Sequence, residues 1–396
     1  MPGFEVPAHV RPIRDQVLAF MVERVEPAEP VLHRGGEQAA DLIVDLQGQA
    51  KDEGLWALGH PAELGGGAMA FADYVFVNEV QGRSEYGQLA LGTFTLQDSL
   101  MLHAHASASQ KRRWLEPLVA AEIWPSFAMT ERDVASSDPT QLQTSATLDG
   151  DEWVIDGRKW FTTGAQRAAY TTVMCRTEPD APDHAAFSMI IVPTDTPGYV
   201  IERETPVLGI RGGHCEVRYE EVRVPADHLL GERGRGFVIA QERLGPGRIF
   251  HAMRWLGQAQ RAFDLLCSRL TARSAFGGPL ADKQLMQQHV FDSYAQIQAC
   301  RLLTLHAADA VDRGGDARVE IGAVKVVGAR MLHDVIDRAV QAHGAAGLTD
   351  DTPLSHMYRT ARFARIYDGP DEVHIQSVAR RLLKTYRDGG TWSFSG

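Results

Sequence analysis

The sequence lacks any long uncharged apolar run. No stretch of about 18 such residues occurs, so no membrane-spanning helix is expected. The region Met1 to Arg24 offers only the apolar run Val17 to Val22, closed by Glu23, which is too short for the core of a secretory leader. Cysteine is scarce. Cys175, Cys215, Cys267 and Cys300 form no C-x-x-C pair, which argues against a zinc or disulfide framework and for a reduced, cytoplasmic chain without a metal site. Basic residues are in deficit: 40 Lys and Arg face 51 Asp and Glu, for a net charge of -11. That disfavours a nucleic-acid footprint. A local Arg cluster can still hold an anionic ligand, so a thioester of CoA or a dinucleotide stays open. Internal repeats and low-complexity segments are absent too.

What is present is ordinary globular composition, 44% hydrophobic and 23% charged over 396 residues, long enough for two or three packed units. Three textures follow one another. Residues 1–125 read as helical, with stretches such as Gln38 to Glu53 and Gln110 to Ala121. Trp114, Leu115 and Leu118 fall there at helical spacing. Residues 126–235 read as a small β domain. Asp149-Gly150 marks a hairpin, Asp156-Gly157 a second turn, and Thr171–Cys175, Phe187–Val192 and Glu216–Val224 are strand-like runs. Residues 236–396 read as a helical bundle. One helix opens at Gly245-Pro246-Gly247 and runs to about Ser274. The next carries the stripe Met286, Val290, Tyr294 and Ile297, a third spans Val319 to His343, and a fourth follows Asp371. Because strands and helices do not alternate, the class is α+β and not a doubly wound sheet.

Four segments can carry chemistry. In 127–138, aromatic, Met and hydroxyl side chains sit in a loop that suits a flat heteroaromatic ring, or else a plain Asx-turn. In 159–164, Trp160 and Thr162 point to one strand face, as ring neighbours or as core. Arg273 at a helix end is placed to clamp a diphosphate or to cap its own helix. In 362–374, Asp371 suits a helix cap and Glu372 the first turn, while Asp368 before Gly369 has no evident structural duty.

Read together, these segments resemble the acyl-CoA dehydrogenase family. The likeness runs through Thr130-Glu131 to Ser136-Ser137-Asp138, Trp160-Phe161-Thr162, Arg273 to Phe276-Gly277, Gln341-Ala342-His343-Gly344-Ala345, and Tyr367-Asp368-Gly369. It covers nearly the whole chain. A narrower likeness, in Arg243–Ile249 and Asp368-Gly369-Pro370-Asp371-Glu372-Val373-His374, points to a subgroup with Asp in place of Glu as base. Some of its members are fused to a kinase-like domain and associated with hydroxylated acyl chains.

The resemblance implies an N-terminal helical domain, a middle β domain, a C-terminal four-helix bundle, and FAD. Phe127, Met129, Thr130, Ser136, Trp160 and Thr162 would line the flavin. Arg273, Phe276, Gln284, Gln341, Gly344, Ala345, Pro370 and Glu372 would complete the FAD site, partly across a subunit interface, so a homodimer or homotetramer is implied. Ser136, Arg248 and Gly369 would contact an acyl-CoA substrate. Asp368 would take the α-proton while hydride leaves the β-carbon for flavin N5, in fatty acid metabolism, with an electron-transfer flavoprotein or similar acceptor. Three departures stand out: Arg132 for the usual Pro, Val134-Ala135-Ser136 for a Gly-rich stretch, and Ala345 for Gly. Some relatives carry the base just before the Arg248 equivalent, and Gly247 leaves no carboxylate there. A flavin oxidase or monooxygenase on the same scaffold, and a non-catalytic assembly partner, stay open as alternatives.

Overall fold

The computed structural model describes residues 5–393; of Pro246, inside a helix, only the backbone is described. The chain divides into two compact units. One comprises residues 1–55, 69–91 and 245–396. The other comprises 56–68 and 92–244. The main helices are α1 Arg11–Phe20, α2 Glu26–Arg34, α3 Glu37–Asp52, α4 Phe71–Gln81, α5 Leu96–His105, α6 Gly236–Ala272, α7 Gln284–Asp312, α8 Arg318–His343, α9 Leu354–Ala361 and α10 Asp371–Arg387. Along the chain the order is therefore helices, then strands, then helices. None of the described helices is long and apolar enough to cross a membrane.

The strand-rich unit holds an eight-stranded sheet. Its strands are β1 Pro125–Ala128, β2 Ser145–Asp149, β3 Glu152–Thr163, β4 Tyr170–Arg176, β5 Phe187–Pro193, β6 Tyr199–Glu204, β7 His214–Pro225 and β8 Leu229–Leu230. They lie in the order β6-β7-β3-β2-β4-β5-β8, with β1 parallel to β4. Strands β4 and β5 are apolar on both faces because each face meets a different core. Tyr170, Met174, Phe187, Met189 and Ile191 pack with Trp114, Leu115 and Leu118. The alternate residues Val173, Cys175, Ile190 and Val192 pack with Trp153, Val217 and Val224. Strict alternation sends successive side chains to opposite faces, so a two-sided strand reads as a continuous apolar run. The expected hairpin is present, with Asp149 opposite Glu152. The expected turn at Asp156-Gly157 is not. β3 continues through it with a register shift, and Gly157 sits at φ 146° against Thr144, where a Cβ would come within 2.5 Å of Oγ1. A bulge kinks the strand without ending it.

In the helical unit, α6, α7, α8 and α10 are the four long bundle helices. α6 begins at Gly236, not Gly245, and passes through Gly245-Pro246-Gly247. Propensity yields here to burial on either side, at Ile239 and Ala240 and at Ile249 and Phe250. On α7, Ile297 is buried as expected but Tyr294 is 56% exposed. The internal stripe runs instead through Ser293, Ile297, Cys300 and Thr304, small or compact residues that allow close helix approach.

Candidate active site

Asp368 is carried on the loop between α9 and α10, in the helical unit. Its backbone adopts the left-handed conformation, φ 54°, followed by Gly369 at φ 99°. Asp tolerates that region better than bulkier residues do. The loop is clamped through its carbonyls. Arg248 on α6 donates Nε and Nη2 to the Asp368 carbonyl at 3.1 and 3.0 Å. His374 Nε2 donates to the same oxygen at 3.0 Å. Lys325 on α8 donates Nζ to the carbonyls of Ala364, at 2.6 Å, and Gly369, at 3.0 Å. Burial lowers Lys325 to about 8. Burial, then the neighbouring Arg248, lowers His374 to about 4, so it is neutral at physiological pH. The Asp368 carboxylate, 19% exposed, faces His251, whose Nε2 lies 3.1 Å from Oδ2.

Thus the structure brings Arg248, Asp368 and Gly369 together, but Arg248 meets the loop's main chain. Asp371, expected as a cap, makes no capping bond, and Pro370 occupies the N-cap. Asp371 is buried and pairs with Arg365 at 2.9 Å and Arg330 at 3.2 Å. Glu372 is exposed in the first turn of α10.

A second cluster lies in the strand-rich unit. The 127–138 loop forms without its usual glycines because side chains stitch it. Ser136 Oγ donates to the Glu131 carbonyl and accepts from the Glu131 N–H, both at 2.8 Å. Glu131 is buried and accepts from Lys159 Nζ at 2.8 Å and from the N–H groups of Gln143 and Thr144 at 2.7 and 2.9 Å. Lys159 also donates to the Met129 carbonyl at 2.9 Å. Thr130 Oγ1 donates to the Trp160 carbonyl at 2.7 Å, while the Trp160 N–H donates to the Thr130 carbonyl at 3.0 Å. Phe127 carries Arg243 over its ring at 4.3 Å. Thr162 is fully buried, and its Oγ1 has no hydrogen-bond partner among the described residues. A bulge between Lys159 and Thr162, with Phe161 at φ 51°, breaks the expected alternation of Trp160 and Thr162 and puts Thr162 on the buried face of Lys159. The orphan hydroxyl there still fits a polar heteroaromatic ligand supplying the missing partner.

The remaining predicted residues are exposed. Arg273 ends α6. Phe276 tops a short hairpin at φ 49° and is 97% exposed. Gln284 begins α7. Gln341 lies in the last turn of α8, and Gly344 and Ala345 continue it as a 3-10 turn. These segments approach within one chain, where Arg269 Nη2 donates to the His343 carbonyl at 3.4 Å.

Sequence reading missed His251, Arg254, Lys325 and His374. Signals existed. Arg248, His251 and Trp255 share one helix face at spacings of three and four. Lys325 is a lone cation in the apolar run Val324 to Val326.

Elsewhere in the helical unit His33, Glu85 and His356 converge. The two rings stack at 3.9 Å and 24°, so their in-plane lone pairs run side by side. That geometry suits a Glu-bridged histidine pair better than a metal cage, which needs converging lone pairs.

Three domain families match in order: the acyl-CoA dehydrogenase N-terminal domain over residues 8–122, its middle domain over 126–222 and its C-terminal domain over 234–383. The chain belongs to the acyl-CoA dehydrogenase family. It is an oxidoreductase and a flavoprotein with FAD as cofactor. It is 45% identical to the Mycobacterium tuberculosis protein named probable acyl-CoA dehydrogenase FadE2, over 96% of this chain and 97% of that one. It is 40% identical to mouse acyl-CoA dehydrogenase family member 10, over 95% of this chain but 37% of that protein. A solved acyl-CoA dehydrogenase-family structure from Mycobacterium abscessus superposes with a TM-score of 0.91 at 38% identity, covering 96% and 100% of the two chains.

Proposed function

We propose that the enzyme dehydrogenates an acyl-CoA thioester between its α and β carbons, with Asp368 as the base. The observation that carries this reading is the clamped loop: three side chains hold its carbonyls while the Asp368 carboxylate stays part-exposed. A general base must be held within hydrogen-bond reach of the proton it removes. Gly247 offers no rival carboxylate. Bound FAD supplies the two-electron acceptor for the β-hydride. In the strand-rich unit, Phe127, Met129, Trp160 and Thr162 would line the flavin, with Thr162 Oγ1 finding its partner there. Thr130 and Ser136 hold that loop in shape. Arg273, Phe276, Gln284, Gln341, Gly344, Ala345, Pro370 and Glu372 would hold the rest of FAD. The exposed Phe276 and Gln341 support completion of that site by a second copy in a homodimer or homotetramer.

The Asp-Gly-Pro-Asp-Glu-Val-His loop supports the Asp-base subgroup. An Asp carboxylate reaches about 1.5 Å less than Glu, from single-bond lengths. Gly369 leaves room for the thioester to approach the backbone. An electron-transferring flavoprotein is the proposed electron acceptor.

The test is Asp368→Asn in FAD-loaded protein, mixed anaerobically with a saturated acyl-CoA series from butyryl to palmitoyl. FAD binding stays intact and substrate bleaching of the flavin is lost. Bleaching at the wild-type rate refutes the base assignment.

A further inference from the structure

We infer that His251 is the positioning residue for Asp368: it sets the direction of the carboxylate, in a tautomer that Arg254 imposes. The inference rests on the reading of Asp368 as base.

The tautomer follows from the donors. An arginine only donates, and Arg254 Nη2 lies 2.8 Å from His251 Nδ1. Nδ1 therefore accepts. In the neutral ring the proton then sits on Nε2, and Nε2 is the atom 3.1 Å from Asp368 Oδ2. The groups around the ring hold it there. Trp255 stacks on it at 5.9 Å and Tyr367 tilts against it at 4.9 Å. Tyr367 is itself fixed by the Trp255 Nε1 donor at 2.8 Å. Burial, then Arg254, holds His251 below the usual imidazole range, with Lys325 acting in the same direction and Asp368 opposing it. Protonating His251 would add a cation to a site that already holds Arg254, Lys325 and Arg248, so the neutral donor persists.

Both ring nitrogens are committed, so His251 is no substitute base. Its contribution is orientation. A base on a short arm has a narrow productive range, and about 1 Å of misplacement can cost a hundredfold in rate. Arg248, His374 and Lys325 donate to main-chain carbonyls of the loop, whereas His251 faces the carboxylate itself. The protonated Nε2 of His251 lies 3.1 Å from Oδ2, close enough for a small turn of either side chain to aim its proton at the carboxylate. Donation to a carboxylate also favours its charged form.

The experiment compares wild type with His251→Phe, His251→Gln, Arg254→Met and Asp368→Asn, all as FAD-loaded full chains. Each is mixed anaerobically with the fastest acyl-CoA of the butyryl-to-palmitoyl series, across pH. His251→Phe bleaches FAD about 10–100-fold more slowly, on the scale of a lost orienting contact. The acid limb of its rate profile moves to higher pH, and its FAD content is unchanged. His251→Gln, which keeps a donor, recovers most of the rate. Arg254→Met, which frees the tautomer, moves the acid limb the same way with a smaller loss. If His251→Phe fails to fold, Gln and Met carry the test through their pH profiles. Wild-type rate and wild-type pH profile in the folded variants, with Asp368→Asn inactive, overturn the inference and leave the base assignment standing. Wild-type bleaching by Asp368→Asn overturns both.

Discussion

Replacing Arg248 with Met separates two roles for this side chain. The resemblance assigns it to substrate, whereas the structure turns two of its donors onto the Asp368 carbonyl at 3.1 and 3.0 Å. Hydrogen bonds from a charged donor contribute about 1.5–3 kcal/mol each, but His374 still donates to that oxygen in the variant, so a net loss of about 2 kcal/mol of loop clamping is expected. A barrier raised by that amount slows the step about 30-fold, at 1.36 kcal/mol per tenfold. The assay is anaerobic stopped-flow bleaching of FAD at several acyl-CoA concentrations, which separates the limiting rate from the apparent Kd. The expected result is a limiting rate about 10–100-fold lower with Kd changed less than about threefold. Arg248→Lys, with the charge but not the fork of donors, falls between. An unchanged limiting rate with a much weaker Kd refutes the clamp and returns Arg248 to the substrate.

Other perturbations follow from the same contacts. Lys159→Met leaves buried Glu131 without its cation and costs about 3–5 kcal/mol, read as a lowered melting temperature and lost FAD; a cost below about 1 kcal/mol contradicts the pairing. Gly369→Ala places a Cβ 2.8 Å from His374 Nε2 on a backbone at φ 99°. It should cost about 1–3 kcal/mol and slow flavin bleaching, with unchanged kinetics counting against the loop geometry. Glu85 is held at about 2: burial would raise it, and hydrogen bonds from His33 and His356 outweigh that. A depressed carboxylate stabilises the fold above its ordinary value near 4.5 and loses that contribution as pH falls toward 2. Glu85→Gln should therefore flatten the melting temperature's decline across that acid window, and an unaltered decline speaks against it.

Local signals determined much of this protein. Strands announced themselves as runs rich in β-branched and apolar residues at 171–175 and 187–192, and the structure shows that both faces of β4 and β5 are covered. Gly150 marked a hairpin through chemistry confined to neighbouring residues. The order of helices, strands and helices set the class, and short motifs in that order indicated the family. Asp156-Gly157 misled because a bulge and a turn demand the same glycine, and only the partner strand tells them apart.

The functional loop shows where such signals stop. Asp368 was visible as a candidate because a loop Asp before Gly resembles a known base position. Its working environment was not. Arg248, His251, Lys325 and His374 lie 120, 117, 43 and 6 positions from it, and nothing in their local sequence ties them to one loop. Their convergence is a property of helix packing. Likewise, the Ser136–Glu131–Lys159 stitch replaces the missing glycines by long-range pairing. Sequence by itself determined which chemistry the chain can host, because residue type and order are local. Tertiary structure decided how Asp368 is held, because the direction of a carboxylate is set by donors that only the fold brings within about 3 Å.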